Sequence, residues 1–168
     1  MSKFVRTLNS IKTHRCAEWL TPSQSRALAA LRRELHAPGT VNLYGPAGVG
    51  KTFLAWILAD ELDLTYFPHL EYLAQAERVT ASGVIIDNGQ SSRQAHRNTL
   101  KVLQLEGVVR AVLITRELVH DYTRYVELSL LPEDKEKASL NLATIGHPAH
   151  DAQVPNLWHL VNPYLGEV

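Results

Sequence analysis

Hydrophobic positions along this chain alternate between two rhythms. Short apolar runs at 40–45 (TVNLYG), 64–67 (LTYF), 83–88 (GVIIDN), 110–115 (RAVLIT) and 125–130 (YVELSL) have the length and β-branched content of strands. Longer stretches with apolar residues three and four apart fill the gaps at 21–39, 51–62, 70–79, 91–107 and 132–146, and these predict helices. The run GVIIDN is apolar without interruption, as expected of a strand covered on both faces. Strands that alternate with helices predict a parallel sheet with helices on both sides.

Local punctuation sharpens several boundaries. Thr21 can cap the first of these helices, Pro22 suits its first turn, and Gln24 three residues on completes a capping box. Leu28, Leu31 and Leu35 form its apolar stripe, and Pro38-Gly39 ends it. The helix at 51–62 turns Leu54, Ile57, Leu58 and Leu62 inward. Ser91 and Gln94 form a second capping box before the helix at 91–107. Residues 116–123 (RELVHDYT) read as a short helix or turn. The last helix starts at Pro132, carries acids in its first turn and closes at Gly146.

The chain has 168 residues, 45% of them hydrophobic, which suits one domain with a sizeable core. Three parts are expected: a basic arm at 1–20, a core at 21–146 and a tail at 147–168 rich in Pro and His. Seventeen basic and 17 acidic residues balance, so bulk charge makes no case for nucleic acid or membrane. Lys3, Arg6, Lys12 and Arg15 in the arm could touch phosphates, or the arm could pack loosely on the core. Cys16 stands alone, which excludes an internal disulfide and suits a reducing compartment. No run of about 18 apolar residues predicts a membrane span. The N-terminus lacks a signal-peptide core, so a cytoplasmic location is expected.

The chemistry concentrates in LYGPAGVGKTF, 43–53, which fits G-x-x-x-x-G-K-[ST]. In such a loop, residues Gly45, Pro46, Ala47, Gly48, Val49, Gly50, Lys51, Thr52 and Phe53 curl so that backbone N–H groups converge on phosphates. The loop opens a helix, whose partial positive charge faces the same anion. Lys51 is placed to reach the β- and γ-phosphates of ATP, and the Thr52 hydroxyl to ligate Mg²⁺. Asp87, at the end of an apolar strand, is the second metal-side group.

The segments GPAGVGKT, VIIDN, AVLIT and YVELSLLPEDKEKASL resemble, in that order, the ATPase core of AAA+ and related STAND proteins. The resemblance spans about residues 20–145. It implies a three-layer α/β P-loop fold with a five-stranded, mainly parallel sheet in the order 2-3-4-1-5. It also implies that Thr115, ending AVLIT, senses the γ-phosphate, although a plain strand residue would explain it equally. Two departures matter. The family places a Glu after the strand Asp as general base, and here that place holds Asn88, an amide that accepts no proton near neutral pH. Gln90 could orient water instead. The family's helical lid carries an arginine on the nucleotide, whereas little chain follows Leu131 and no arginine follows Arg124. Arg93, Arg97, Arg110, Arg116 and Arg124 are left as candidate fingers, with Arg116 and Arg124 placed best by analogy.

The expected function is an ATP-binding AAA+-type protein: a weak or partner-dependent ATPase that acts as a nucleotide-gated switch or assembly subunit, as a homo-oligomer or with another protein. The alternatives are a DNA-handling ATPase of the helicase-loader or transposition type and, less favoured, a small-molecule or nucleotide kinase. A strand inserted between those of the P-loop and Asp87 favours the ATPase; direct adjacency favours the kinase. Gln24 has two readings, a helix cap or a reader of adenine. His147, His150 and His159 lack the spacing of a zinc pair and are read as structural or surface groups.

Overall fold

The computed structural model describes residues 3–76, 82–119, 122, 124–147 and 154–161, with Lys3 and Phe4 described by their backbone alone. Five strands form the sheet: β1 (Gly39–Tyr44), β2 (Leu64–Phe67), β3 (Gly83–Ile86), β4 (Arg110–Thr115) and β5 (Tyr125–Glu127). Their order is β2-β3-β4-β1-β5, and every neighbouring pair is parallel. The predicted order is therefore observed, with β4 inserted between the P-loop strand and the Asp87 strand.

The helices are α1 (Lys3–Thr13), α2 (Pro22–Glu34), α3 (Lys51–Leu62), α4 (Leu70–Ala74), α5 (Arg93–Leu105), α6 (Pro132–Thr144) and α7 (Leu157–Val161), with a 3₁₀ turn at Ala17–Trp19. Alternation along the inner strands splits the core in two. Ile85, Val112 and Ile114 face one layer with Leu28, Leu31, Leu54 and Leu58 of α2 and α3. Val84, Ile86, Ala111 and Leu113 face the other with Leu73 of α4 and Leu103 of α5. Helices thus cover both faces, and the three-layer fold follows from the period-2 pattern of β3 and β4.

Two buried polar groups tie elements that are remote in sequence. Asn42, fully buried in β1 between β4 and β5, donates through Nδ2 to the Leu113 carbonyl at 3.0 Å and to Thr115 Oγ1 at 2.9 Å; its Oδ1 accepts from Val119 N–H at 3.0 Å. Asp134, fully buried at the start of α6, accepts from Leu131 N–H at 2.6 Å and from Ser23 N–H of α2 at 2.7 Å.

Several boundaries depart from the sequence reading. Ser92, not Ser91, caps α5, accepting from Ala95 N–H, while the Gln94 amide donates to Asn98. Ser91 is turned toward Glu117. The cap moves because Ser92 has the extended backbone an N-cap requires. Helix α4 stops at Ala74, and residues 77–81 lie outside the described set. Strand β5 ends at Glu127, after which Leu128 N–H still bonds the Tyr44 carbonyl. Of the stretch read as a short helix or turn, residues 116–117 form a bend, Asn42 pins Val119, and Tyr122 N–H bonds the Val119 carbonyl as in a turn, while residues 120, 121 and 123 lie outside the described set.

Candidate functional site

The parallel register brings the carboxyl ends of β1, β3 and β4 together, with Tyr44 opposite Thr115 and Ile86 opposite Leu113. Open α/β sheets place their sites at this edge. From β1 the chain enters Gly45–Gly50 and then α3. Gly50 sits at φ 88 as the N-cap of α3 and offers no side chain to its first turn. The Lys51 ammonium folds back on the loop, 2.5 Å from the Gly45 carbonyl and 2.7 Å from that of Pro46. Burial pushes its pKa down and the nearby Arg116 adds to this, while Asp87 opposes it. An ammonium held by two neutral carbonyls and destabilised by burial is chemically suited to an anion.

On the metal side, Thr52 Oγ1 donates to Asp87 Oδ2 at 2.7 Å. The same oxygen accepts from the Tyr66 hydroxyl at 2.7 Å, and Oδ1 accepts from Asn88 N–H at 2.7 Å. Tyr66 was not anticipated: β2 shows only a short apolar run, and nothing local says that its third residue reaches Asp87. Burial and then the Asp87 carboxylate push the Tyr66 phenol well above its ordinary pKa, so it stays a donor. Trp56 of α3 meets the Tyr66 ring edge-on at a centroid distance of 6.3 Å.

The remaining predicted residues divide. Asn88, Gln90, Thr115 and Arg116 all line the same cleft as Lys51 and Asp87. Asn88 has φ 52, and its amide donates to the Pro68 carbonyl at 3.1 Å. The Thr115 hydroxyl is buried, accepts from Asn42 and donates to the Glu117 carbonyl at 2.6 Å, so its single proton is committed. Arg116 is the one arginine that lines the cleft among the described residues. Arg124 lies away from this cleft: it donates to Glu34 at 3.2 Å and to the Pro38 carbonyl at 2.8 Å, beside Gly39 at the opposite end of β1. Gln24 completes the capping box with Thr21 through Oε1, and its Nε2 donates to the Val49 carbonyl of the loop at 3.4 Å. Both ends of its amide are thus engaged within the protein.

The cleft measures about 1000 Å³, and both polar groups, Asp87 and Arg116 among them, and apolar side chains line it. Leu8 and Ile11 of α1, Leu142 of α6 and Leu160 of α7 are among the apolar lining, and Trp19, Trp56 and Trp158, all the tryptophans of the chain, line the same cleft. The arm is folded onto the body here: Arg15 pairs with Asp60 at 2.7 Å, and the Lys12 ammonium lies 5.4 Å from the Trp56 ring centre. His147 is structural, 3.2 Å from the Leu160 carbonyl through Nε2 and 3.5 Å from Thr7 Oγ1 through Nδ1. His159 is engaged with Asn156, and His150 lies outside the described residues. Among the described residues no cluster of three or more His, Cys, Asp or Glu could hold a metal, and no helix is long and apolar enough to cross a membrane.

Strand order, loop and cleft together define the fold of a P-loop ATPase core of the AAA+ type. No family model and no curated protein matches the sequence. Among solved structures, the chain is similar to a DNA replication initiation factor, with a TM-score of 0.58 and 14% identity over 83% of this chain and 57% of that one. It is similar also to the replication initiator DnaA bound to AMPPCP and single-stranded DNA, with a TM-score of 0.53 and 13% identity over 83% of this chain and 60% of that one. The chain therefore spans under two thirds of the length of either. At these identities the likeness is one of fold.

Proposed function

We propose that this protein binds ATP with Mg²⁺ at Gly45–Thr52 and acts as a nucleotide-gated switch whose hydrolysis is slow without a partner. The observation that carries the reading is the uncapped first turn of α3 beside the Lys51 ammonium, with the Thr52 and Asp87 oxygens 2.7 Å apart on its flank. Backbone N–H groups and Lys51 would hold the phosphates. Thr52 and Asp87 are hard oxygen donors, and Mg²⁺ is ordinarily held by one or two such groups together with phosphate oxygens and water. When bound, the ion neutralises charge that develops on the phosphates. Tyr66 and Asn88 N–H fix the orientation of Asp87 from outside that shell.

Slow hydrolysis is inferred from Asn88 and from Arg116 being the one arginine at the cleft among the described residues. A missing general base removes typically about 10²–10⁴ in rate, and a missing arginine finger about 10³–10⁵. Both act on the transition state more than on binding. Lys51→Ala tests the site. ATP affinity should fall at least tenfold by calorimetry, and an unchanged affinity would refute the assignment. The position of β4 between β1 and β3 favours an ATPase over a kinase.

A second reading, a DNA-handling ATPase, is supported by α5 rather than by the arm. Arg93, Arg97 and Lys101 recur every four residues on its exposed surface, α5 carries no acid, and none of the three has an ion-pair partner among the described residues. One similar structure holds single-stranded DNA. If three phosphates are neutralised, the logarithm of affinity for a single strand should fall with the logarithm of salt with a slope of about −2. Exchanging the three residues for Glu should abolish that binding and leave ATP affinity unchanged. Binding that survives the exchange counts against the reading.

A further inference from the structure

Helix α7 is five residues long, too short to persist alone, so contacts set its position. Those contacts converge on the P-loop. Leu157 N–H donates to the Gly48 carbonyl at 2.9 Å. A methyl placed on Gly48 would meet Asn156 Cγ at 2.6 Å and Trp158 Cδ1 at 2.8 Å, whereas one on Gly50 would first meet the Gln24 amide, with Leu157 Cδ1 at 3.3 Å. At Gly48, with φ 78, only glycine admits the segment this closely. The turn is closed by Asn156 Oδ1, which accepts from Trp158 N–H at 3.0 Å. Its far end is held where His147 meets the Leu160 carbonyl. The same turn lines the cleft with Leu157, Trp158, Leu160 and Val161.

We propose that residues 154–161 are a strap whose apolar side chains cover the base of a bound nucleotide in this cleft and which is locked to the P-loop through the Leu157–Gly48 hydrogen bond. The proposal rests on the nucleotide reading and assigns Leu157 as a positioning residue of that site. The loop that would grip the phosphates and the turn that would cover the base share one main-chain bond, so each favours the arrangement that suits the other. Linkage makes the coupling reciprocal: the factor by which the seated strap tightens nucleotide is the factor by which nucleotide seats the strap.

The test uses the full chain with ATP and Mg²⁺. Leu157→Pro removes the donor while keeping a residue tolerated at the first position of a helix, and Leu157→Ala keeps the donor. Leu157→Pro should raise the ATP dissociation constant up to about tenfold, the scale of one buried hydrogen bond, mostly through faster release; Leu157→Ala should do less. In the unaltered protein, ATP should slow hydrogen exchange at the Leu157 amide by a factor of the same size, a reading that needs no variant to fold. An affinity unchanged in Leu157→Pro, or a Leu157 amide whose exchange ignores ATP, overturns the strap while the nucleotide reading stands. An unaltered protein that binds no ATP at all overturns both.

Discussion

Asp134 has no exposed surface, yet two main-chain N–H groups, of Leu131 and Ser23, point at its carboxylate. Burial pushes its pKa up, but hydrogen bonds from those N–H groups and from the Ser23 and Thr21 side chains together outweigh it and hold the group below the ordinary carboxylate value. A folded pKa below the unfolded one contributes stability that is present above the unfolded pKa, about 3.9, and is lost as pH falls through the folded value. Asp134→Ala should therefore cost about 3 kcal/mol near neutral pH, the scale of stranding two donors that served a charge. Urea unfolding should show the difference shrinking as the pH drops below about 4. Asn88 has a different constraint. At φ 52 an Asn is tolerated where most residues are strained by about 1–2 kcal/mol. Asn88→Glu should thus lower the melting temperature and, by restoring a carboxylate beside the water that attacks, raise ATP hydrolysis. A lowered melting temperature without a gain in hydrolysis would mean that the missing base is not what limits the rate.

At the level of elements, the sheet was legible because its strands carry their neighbours' demands in their own composition. Val84, Ile85 and Ile86 announce burial on both faces, and the loop after β1 announces a helix by its glycines. Thr21, Pro22 and Gln24 fix the start of α2 because a capping box is local. What failed to show was set by distance along the chain. Tyr66 and Asp87 are 21 residues apart, and α7 reaches Gly48 across more than 100. Arg124 resembles a finger by position, but its place beside Glu34 and Pro38 is decided by how β5 pairs with β1. The end of β2 carries a prediction of its own. Tyr66→Phe removes one of three donors that orient Asp87, so the Mg²⁺ concentration needed for half-maximal ATP binding should rise a few-fold. A magnesium dependence identical to that of the unaltered protein would leave Tyr66 with a packing role only.

For the whole molecule, the distribution of arginines matters most. Only Arg116 lines the cleft among the described residues, so charge on a γ-phosphate would be compensated from one side. A second copy or another protein supplying an arginine in trans would complete the site. Sedimentation should then show a larger species with ATP than with ADP, and mixing with the natural partner should speed turnover by orders of magnitude. A monomer at every concentration, with turnover of about 1 s⁻¹ or faster, would place the catalytic groups entirely within this chain.

Trp19, Trp56 and Trp158 come from three separate parts of the chain and border one cleft. Optically, the protein therefore has one address: its tryptophan emission reports on the cleft with no other source of indole light to dilute it. Ligand entry should shift that emission without any added label. Replacing the three one at a time with Phe would map the signal along the cleft, with Trp158 reading the strap, Trp56 the wall beside Tyr66, and Trp19 the turn that leads into α2.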